Sequence, residues 1–249
     1  MRKLKGKIAL ITGGAKRLGK TCSLAMAAEG AEILLHYNTS KTEAEKTALE
    51  IHRLGSACTL IQQNLANPES IALFTDRILA ETDTIDILIN SASIFPSGTF
   101  NEITFESIMQ NLQVNALSPF LLGKELAKKT NLTDIINFLD TRITGPDPNH
   151  SAYHLSKRML YTMTKLMAES LAPRIRVNAM APGPILPPEE RGEDIDYFEK
   201  LKHLNPLHRT GNPDDISQAL LFLLKSSFIT GQVLFIDGGM HLKGNRYGI

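Results

Sequence analysis

Seven short, continuous apolar runs are spaced along the chain: Ile8 to Ile11, Ile33 to Tyr37, Ala57 to Ile61, Ile85 to Ile89, Ile135 to Leu139, Ile175 to Val177 and Val233 to Ile236. A strand that is apolar without alternation is covered on both faces, as in a parallel sheet layered between helices. Amphipathic stretches of helical length lie between the runs at 18–29, 40–54, 68–81, 104–129, 151–171 and 213–226, with Gly30 and Gly55 placed as C-terminal stops. This alternation predicts an α/β fold, a doubly wound seven-stranded parallel sheet with helices on both faces. Such a sheet takes its ligand at the carboxyl ends of the strands.

Length alone allows one large core or two small ones, but no repeat, low-complexity tract or linker divides the chain, so residues 1–249 are read as a single domain. The irregular stretch 181–193 carries Pro182, Pro184, Pro187 and Pro188 between the sixth strand and the next helix, and reads as a substrate lid near 181–203. The 27 basic and 26 acidic side chains nearly cancel, which excludes the broad positive field of a nucleic-acid or anionic-membrane binder and leaves small molecules as partners. Cys22 and Cys58 are too few for a disulfide framework or a four-cysteine zinc site, so a reducing cytoplasm is the expected compartment. The first apolar run is too short for a signal peptide, and no run approaches the ~18 residues of a membrane span.

After the first run comes Thr12-Gly13-Gly14-Ala15-Lys16-Arg17-Leu18-Gly19, opening a helix. Glycines permit a tight turn, and helix N-terminal amides offer positive partial charge to a pyrophosphate, so the turn marks a Rossmann-like dinucleotide site. The second run ends His36-Tyr37-Asn38-Thr39-Ser40, with no acid to bind ribose hydroxyls. A carboxylate there would repel a 2′-phosphate, whereas Ser40 can hydrogen-bond it and Lys16 or Arg17 can neutralise it; NADPH is therefore expected over NADH.

Tyr153 and Lys157 are separated by four residues in a helical stretch, so they share a face. A free tyrosine titrates near ~10, and an adjacent ammonium stabilises the phenolate and so suits it to proton transfer near neutrality. Taken alone, this spacing also describes an ordinary amphipathic pair. His150 and His154 have the spacing of helical zinc ligands, but Ser151 stands where the metalloprotease motif needs glutamate, and no metal is expected.

The glycine turn, Asn90-Ser91-Ala92-Ser93, Asn115, the Tyr153/Lys157 pair and Ala181-Pro182-Gly183 together resemble the short-chain dehydrogenase/reductase family along essentially the whole chain. The resemblance implies that Asn90, Ala92 and Ser93 lie near the adenosine side of the cofactor and that Asn64 and Leu65 flank the adenine. It also implies that Gly13, Leu18, His36, Tyr37 and Asn38 line the cofactor, and that Pro182 and Gly183 flank the nicotinamide. Asn115 is similar to the helix asparagine that holds a proton-relay water. Asp237-Gly238-Gly239 matches the family's last strand, which often packs in a tetramer interface, so the resemblance implies a homo-oligomer, a tetramer.

Two departures point one way. Arg17 replaces the middle glycine of the family turn, and Asp140 replaces the catalytic serine. Both are similar to the pteridine reductases, including dihydromonapterin reductases, in which the pterin lies between an aromatic ring and the nicotinamide; that role falls on Phe95, with Arg17 and Ser93 contacting the pterin or phosphates. A pterin presents ring nitrogens and an amino group, which a carboxylate can accept, so Asp140 with Tyr153 is expected to deliver a proton to a ring nitrogen. The competing expectations are a 3-oxoacyl thioester reductase and a non-catalytic NADPH sensor. Asp140 also has a plain structural reading, as a strand-end cap on backbone amides, and Phe95 has one as simple packing. Glu189 and Glu190 fall in the lid without an assigned role.

Overall fold

The computed structural model describes residues 3–187, 199 and 201–243. Strands β1 (Ile8–Thr12), β2 (Glu32–Tyr37), β3 (Cys58–Gln62), β4 (Ile87–Asn90), β5 (Asp134–Phe138), β6 (Arg176–Pro182) and β7 (Val233–Ile236) form one parallel sheet in the order β3-β2-β1-β4-β5-β6-β7. The strand order reverses direction between β1 and β4, so their carboxyl ends open the crevice where a doubly wound sheet takes a ligand.

Side-chain alternation divides the apolar runs between two cores. On one face Ile11, Ile33, Leu35, Ile87 and Ile89 pack with Met26 of α1 (Arg17–Ala28), Ile51 of α2 (Lys41–Arg53) and Leu220 of α7 (Pro213–Lys225). On the other, Leu10, Leu34 and Leu88 meet Phe74 of α3 (Ile71–Glu81), Leu122 of α5 (Ser118–Lys129) and Met167 of α6 (Ser151–Ser170). A strand that feeds two cores is apolar at every position, which is why the runs lack period two.

The stretch 104–129, expected as one helix, is α4 (Phe105–Leu112), a π turn (Gln113–Leu117) and α5. Ser118 N–H returns to the carbonyl of Gln113, five residues back. Pro119, in the first turn of α5, has no N–H to give to Asn115, and the wider turn absorbs that loss. Strand β6 runs to Pro182, well past the expected end at Val177. Polar Asn178 is buried within it because its amide donates to the Ile229 carbonyl and accepts from Gln232 N–H. No helix among the described residues is long and apolar enough to cross a membrane.

Candidate active site

The turn from β1 into α1 is built by close backbone approach. Gly13 has φ +65°, and a Cβ there would stand 2.9 Å from Ala92 Cα; one on Gly19 would meet the Gly13 carbonyl oxygen at 2.0 Å. Thr12 Oγ1 accepts from Ser91 and Ala92 N–H and so ties the turn to the end of β4. The position expected to break the glycine pattern also carries the unusual backbone: Arg17 is left-handed at φ +54°, a conformation that costs a side-chain-bearing residue about 1 kcal/mol. Its guanidinium donates to the Pro187 carbonyl at 2.7 Å and so joins the turn to the start of the lid. Pro188, Glu189 and Glu190 lie outside the described residues.

His36 corrects an expectation. Its ring is 1% exposed and does not face the cofactor crevice. Nδ1 accepts from Gly13 N–H at 3.1 Å and Nε2 lies 2.9 Å from the Gln63 carbonyl, a pattern that only a neutral ring with its proton on Nε2 satisfies. Burial pushes its pKa down to about 4, against the opposing pull of the Gln63 hydrogen bond. His36 thus braces the glycine turn from beneath. Tyr37 ends β2, the Asn38 carbonyl accepts from Gln62, and Ser40 precedes α2 without capping it.

Three other expected cofactor contacts have polar groups engaged within the protein, Leu65 and Asn90 buried and Asn64 exposed. Leu65 is a core residue whose carbonyl accepts from Ser118. Asn64 Oδ1 accepts from Ala66 N–H in an Asx turn. Asn90 is buried with Nδ2 donating to Asn137 Oδ1 at 2.8 Å; Asn137 Nδ2 in turn donates to Thr164 Oγ1, while Asn90 Oδ1 has no partner among the described residues.

Asn115 is 0% exposed, and its side chain is consumed by structure. Oδ1 accepts from Ile94 N–H and Ser93 Oγ, and Nδ2 donates to the Ile94 carbonyl and Ser156 Oγ. It fixes the loop after β4, which carries Phe95. Its side chain is therefore a positioning group for that loop.

The proton-transfer group converges. Tyr153 Oη donates to Asp140 Oδ2 at 2.8 Å, while Asp140 Oδ1 accepts from Arg142 N–H at 2.8 Å. One carboxylate thus performs both of the roles its position suggested, capping the 3₁₀ turn Thr141–Thr144 with one oxygen and meeting the tyrosine with the other. Lys157, on the same face of α6, is 3% exposed and donates to the Phe138 carbonyl at 2.8 Å. Its ammonium stands 5.6 Å from the Tyr153 ring centroid. Burial pushes the Lys157 pKa down to about 8, opposed by the charge of Asp140.

Phe95 is 42% exposed and meets Tyr153 edge-on, with centroids 4.6 Å apart at 82°. Ser93, two residues earlier, is exposed beside it. The loop between β5 and α6 adds two residues that reading for helical or strand periodicity passes over, Arg142 and Asp147, which are paired at 2.8 Å. Burial raises the Asp147 carboxyl, but the His150 hydrogen bond and the Arg142 charge outweigh it and hold the pKa at about 2.

On the far side, Pro182 ends β6 and Gly183 N–H donates to the Ile236 carbonyl. A Cβ on Gly183 would stand 2.7 Å from that of Asp237. Asp237 accepts from Thr141, beside Asp140, and from Gly239 and His241 N–H, so it links the end of β7, against which Gly183 packs, to the Asp140 loop. The cradle at Gly13 and the absence of an acid after β2 fit a dinucleotide. Among the described residues no cluster of three or more His, Cys, Asp or Glu could hold a metal ion.

A family model described as enoyl-(acyl carrier protein) reductase matches residues 13–241. A 3-oxoacyl-[acyl-carrier-protein] reductase of Synechocystis sp. is 30% identical over 96% of this chain and 99% of its own length. The solved structure of FolM alternative dihydrofolate reductase 1 from Brucella canis, complexed with NADP, is 29% identical with a TM-score of 0.90, covering 100% of this chain and 99% of its own. Its counterpart from Brucella suis, also with NADP, is 30% identical with a TM-score of 0.85 over 95% of each chain.

Proposed function

Since this chain belongs to the short-chain dehydrogenase/reductase family of oxidoreductases, we propose that it is an NADPH-dependent pteridine reductase, converting a 7,8-dihydropterin or dihydrofolate-type substrate to its tetrahydro form. The observation that carries this reading is the Tyr153 Oη to Asp140 Oδ2 hydrogen bond at 2.8 Å, made to a carboxylate where the wider family pattern has serine. The likeness to the two FolM structures supports it.

NADPH, when bound, supplies the hydride. Gly13 and the α1 N-terminus would cradle its pyrophosphate, while Lys16, Arg17 and Ser40 would hold its 2′-phosphate. Tyr153 gives its proton to the ring nitrogen beside the carbon that is reduced, and Asp140 holds that proton in line beforehand and accepts from the substrate's amino group. Lys157, as an ammonium, stabilises the phenolate left behind and would hold the cofactor ribose. Phe95 stacks on the flat ring and sets its distance from the hydride donor.

A second reading, reduction of a 3-oxoacyl thioester, is favoured by the name of the Synechocystis relative. NADPH oxidation by the purified protein separates the two: fast turnover with dihydropterins and slow turnover with 3-oxoacyl thioesters is expected, and the reverse ranking refutes the proposal. Self-association belongs to the same reading, supported by exposed Phe105 on α4 and Leu155 and Leu166 on α6.

A further inference from the structure

His150 shares the i, i+4 spacing of helical zinc ligands with His154, yet its ring is turned to a different use. It stacks on Phe95 with centroids 4.0 Å apart and planes 15° from parallel. Two backbone hydrogen bonds hold the loops together behind the pair, Gly98 N–H to the Asn149 carbonyl at 2.8 Å and Ser151 N–H to the Gly98 carbonyl at 3.0 Å. The imidazole is itself fixed: Nδ1 lies 3.2 and 3.3 Å from the two oxygens of Asp147, whose side chain is 1% exposed. Asp147 is neutralised by Arg142, and Arg142 caps onto Asp140 through its backbone N–H. The Arg142 guanidinium carbon also stands 4.6 Å from the Phe95 centroid.

A half-exposed phenylalanine with nothing behind it samples several rotamers, and a substrate that stacks on it must first stop that motion. Phe95 is not in that condition. One face rests on a ring that a buried ion pair holds still, and its plane is set at right angles to Tyr153.

We infer that His150 is a positioning residue for substrate: backed by Asp147 and Arg142, it fixes the plane of Phe95 so that a flat heteroaromatic ring stacks with its nitrogen at the Tyr153–Asp140 pair. This rests on the pteridine reading and extends it, because it assigns part of the selection for planar substrates to a residue that touches neither substrate nor cofactor. His150 acts on how the ring is bound and touches no reacting atom. Its loss therefore appears chiefly in KM, with a smaller change in kcat.

The test uses the full chain with NADPH and dihydrobiopterin. His150→Ala removes the stacking partner without removing a helix cap, since the His150 side chain makes no cap hydrogen bond. An aromatic pair of this kind is worth about a two- to tenfold change in an equilibrium, so KM for the dihydropterin is expected to rise by about that factor, with a smaller change in kcat and the NADPH dissociation constant unchanged. His150→Phe keeps a ring against Phe95 and is expected to restore KM. An unchanged KM in His150→Ala, a loss confined to kcat, or a His150→Phe enzyme that behaves like His150→Ala overturns the inference while leaving the pteridine reading standing. A wild-type enzyme that does not turn over the dihydropterin overturns both.

Discussion

Replacing Asp140 by Asn removes one negative charge and almost nothing else. The amide oxygen can still accept from Arg142 N–H, so the 3₁₀ turn Thr141–Thr144 keeps its cap. What is lost is the charge on the Tyr153 hydrogen bond, made at 2.8 Å. A hydrogen bond to a charged group contributes about 1.5–3 kcal/mol. At about 1.4 kcal/mol per tenfold, that is a fall of roughly 10- to 150-fold in kcat/KM for a dihydropterin. A second effect is independent of the first. The Asp140 charge raises the Lys157 pKa against the burial that brings it to about 8, so removing it lets that pKa drop further. The alkaline limb of the pH–rate profile therefore moves to lower pH in Asp140→Asn. Both are read by following NADPH absorbance across pH 6 to 10, with NADPH affinity measured separately by fluorescence. A kcat/KM within about twofold of wild type, together with an unmoved alkaline limb, would refute the assignment of Asp140.

Wild-type activity is expected to fall as pH rises through about 8, because Lys157 must be an ammonium to stabilise the phenolate. Stability should not fall with it: the folded pKa lies below the ordinary 10.5, so between about 8 and 10.5 the unfolded chain binds more protons and this group's contribution to stability grows with pH. Thermal melts alongside the rate profile check the sign; activity that stays flat to pH 10 contradicts it. Arg17→Gly relieves a left-handed residue at φ +54° and removes the tether to Pro187. Its melting temperature is expected to hold or rise, while the preference for NADPH over NADH, measured as a ratio of dissociation constants, drops about tenfold. Gly13→Ala places a methyl 2.9 Å from Ala92 Cα at φ +65° and is expected to cost about 2 kcal/mol, seen as a melting temperature lower by several degrees, and to weaken NADPH binding.

Some of the site was legible because short-range rules governed it. Tyr153 and Lys157 share a face by helical spacing, and Gly13 marks a turn that only glycine fits. Legibility failed where a polar side chain had to choose between ligand and neighbour. His36, Asn64, Asn90 and Asn115 occupy positions where the resemblance placed cofactor or catalytic contacts, and all four side chains are taken up by protein groups. Their partners, Gly13, Ala66, Asn137 and Ile94, lie from two to 47 residues away, and no local pattern names the distant ones. Arg142 and Asp147 went unread, and His150 was read only for its spacing to His154, for a related reason: the residues they meet are joined through an irregular loop, where spacing implies no shared face.

By itself the sequence determined the layering of this protein. Uninterrupted apolar runs require cover on both faces, and the amphipathic stretches between them supply it, so the parallel sheet and the end at which it binds follow from burial and chain direction alone. It also determined which chemical groups are present, including an aspartate where a serine was expected. The tertiary structure decided what those groups face. Only the approach of β5 to α6 gives one oxygen of Asp140 to Tyr153 and leaves the other on Arg142 N–H, and only the closure of the loops after β4 and β5 sets His150 against Phe95. Hydrogen bonds and ring contacts act over a few ångströms, whereas the residues that make them are separated by up to dozens of positions along the chain. Their pairing is therefore a property of the fold.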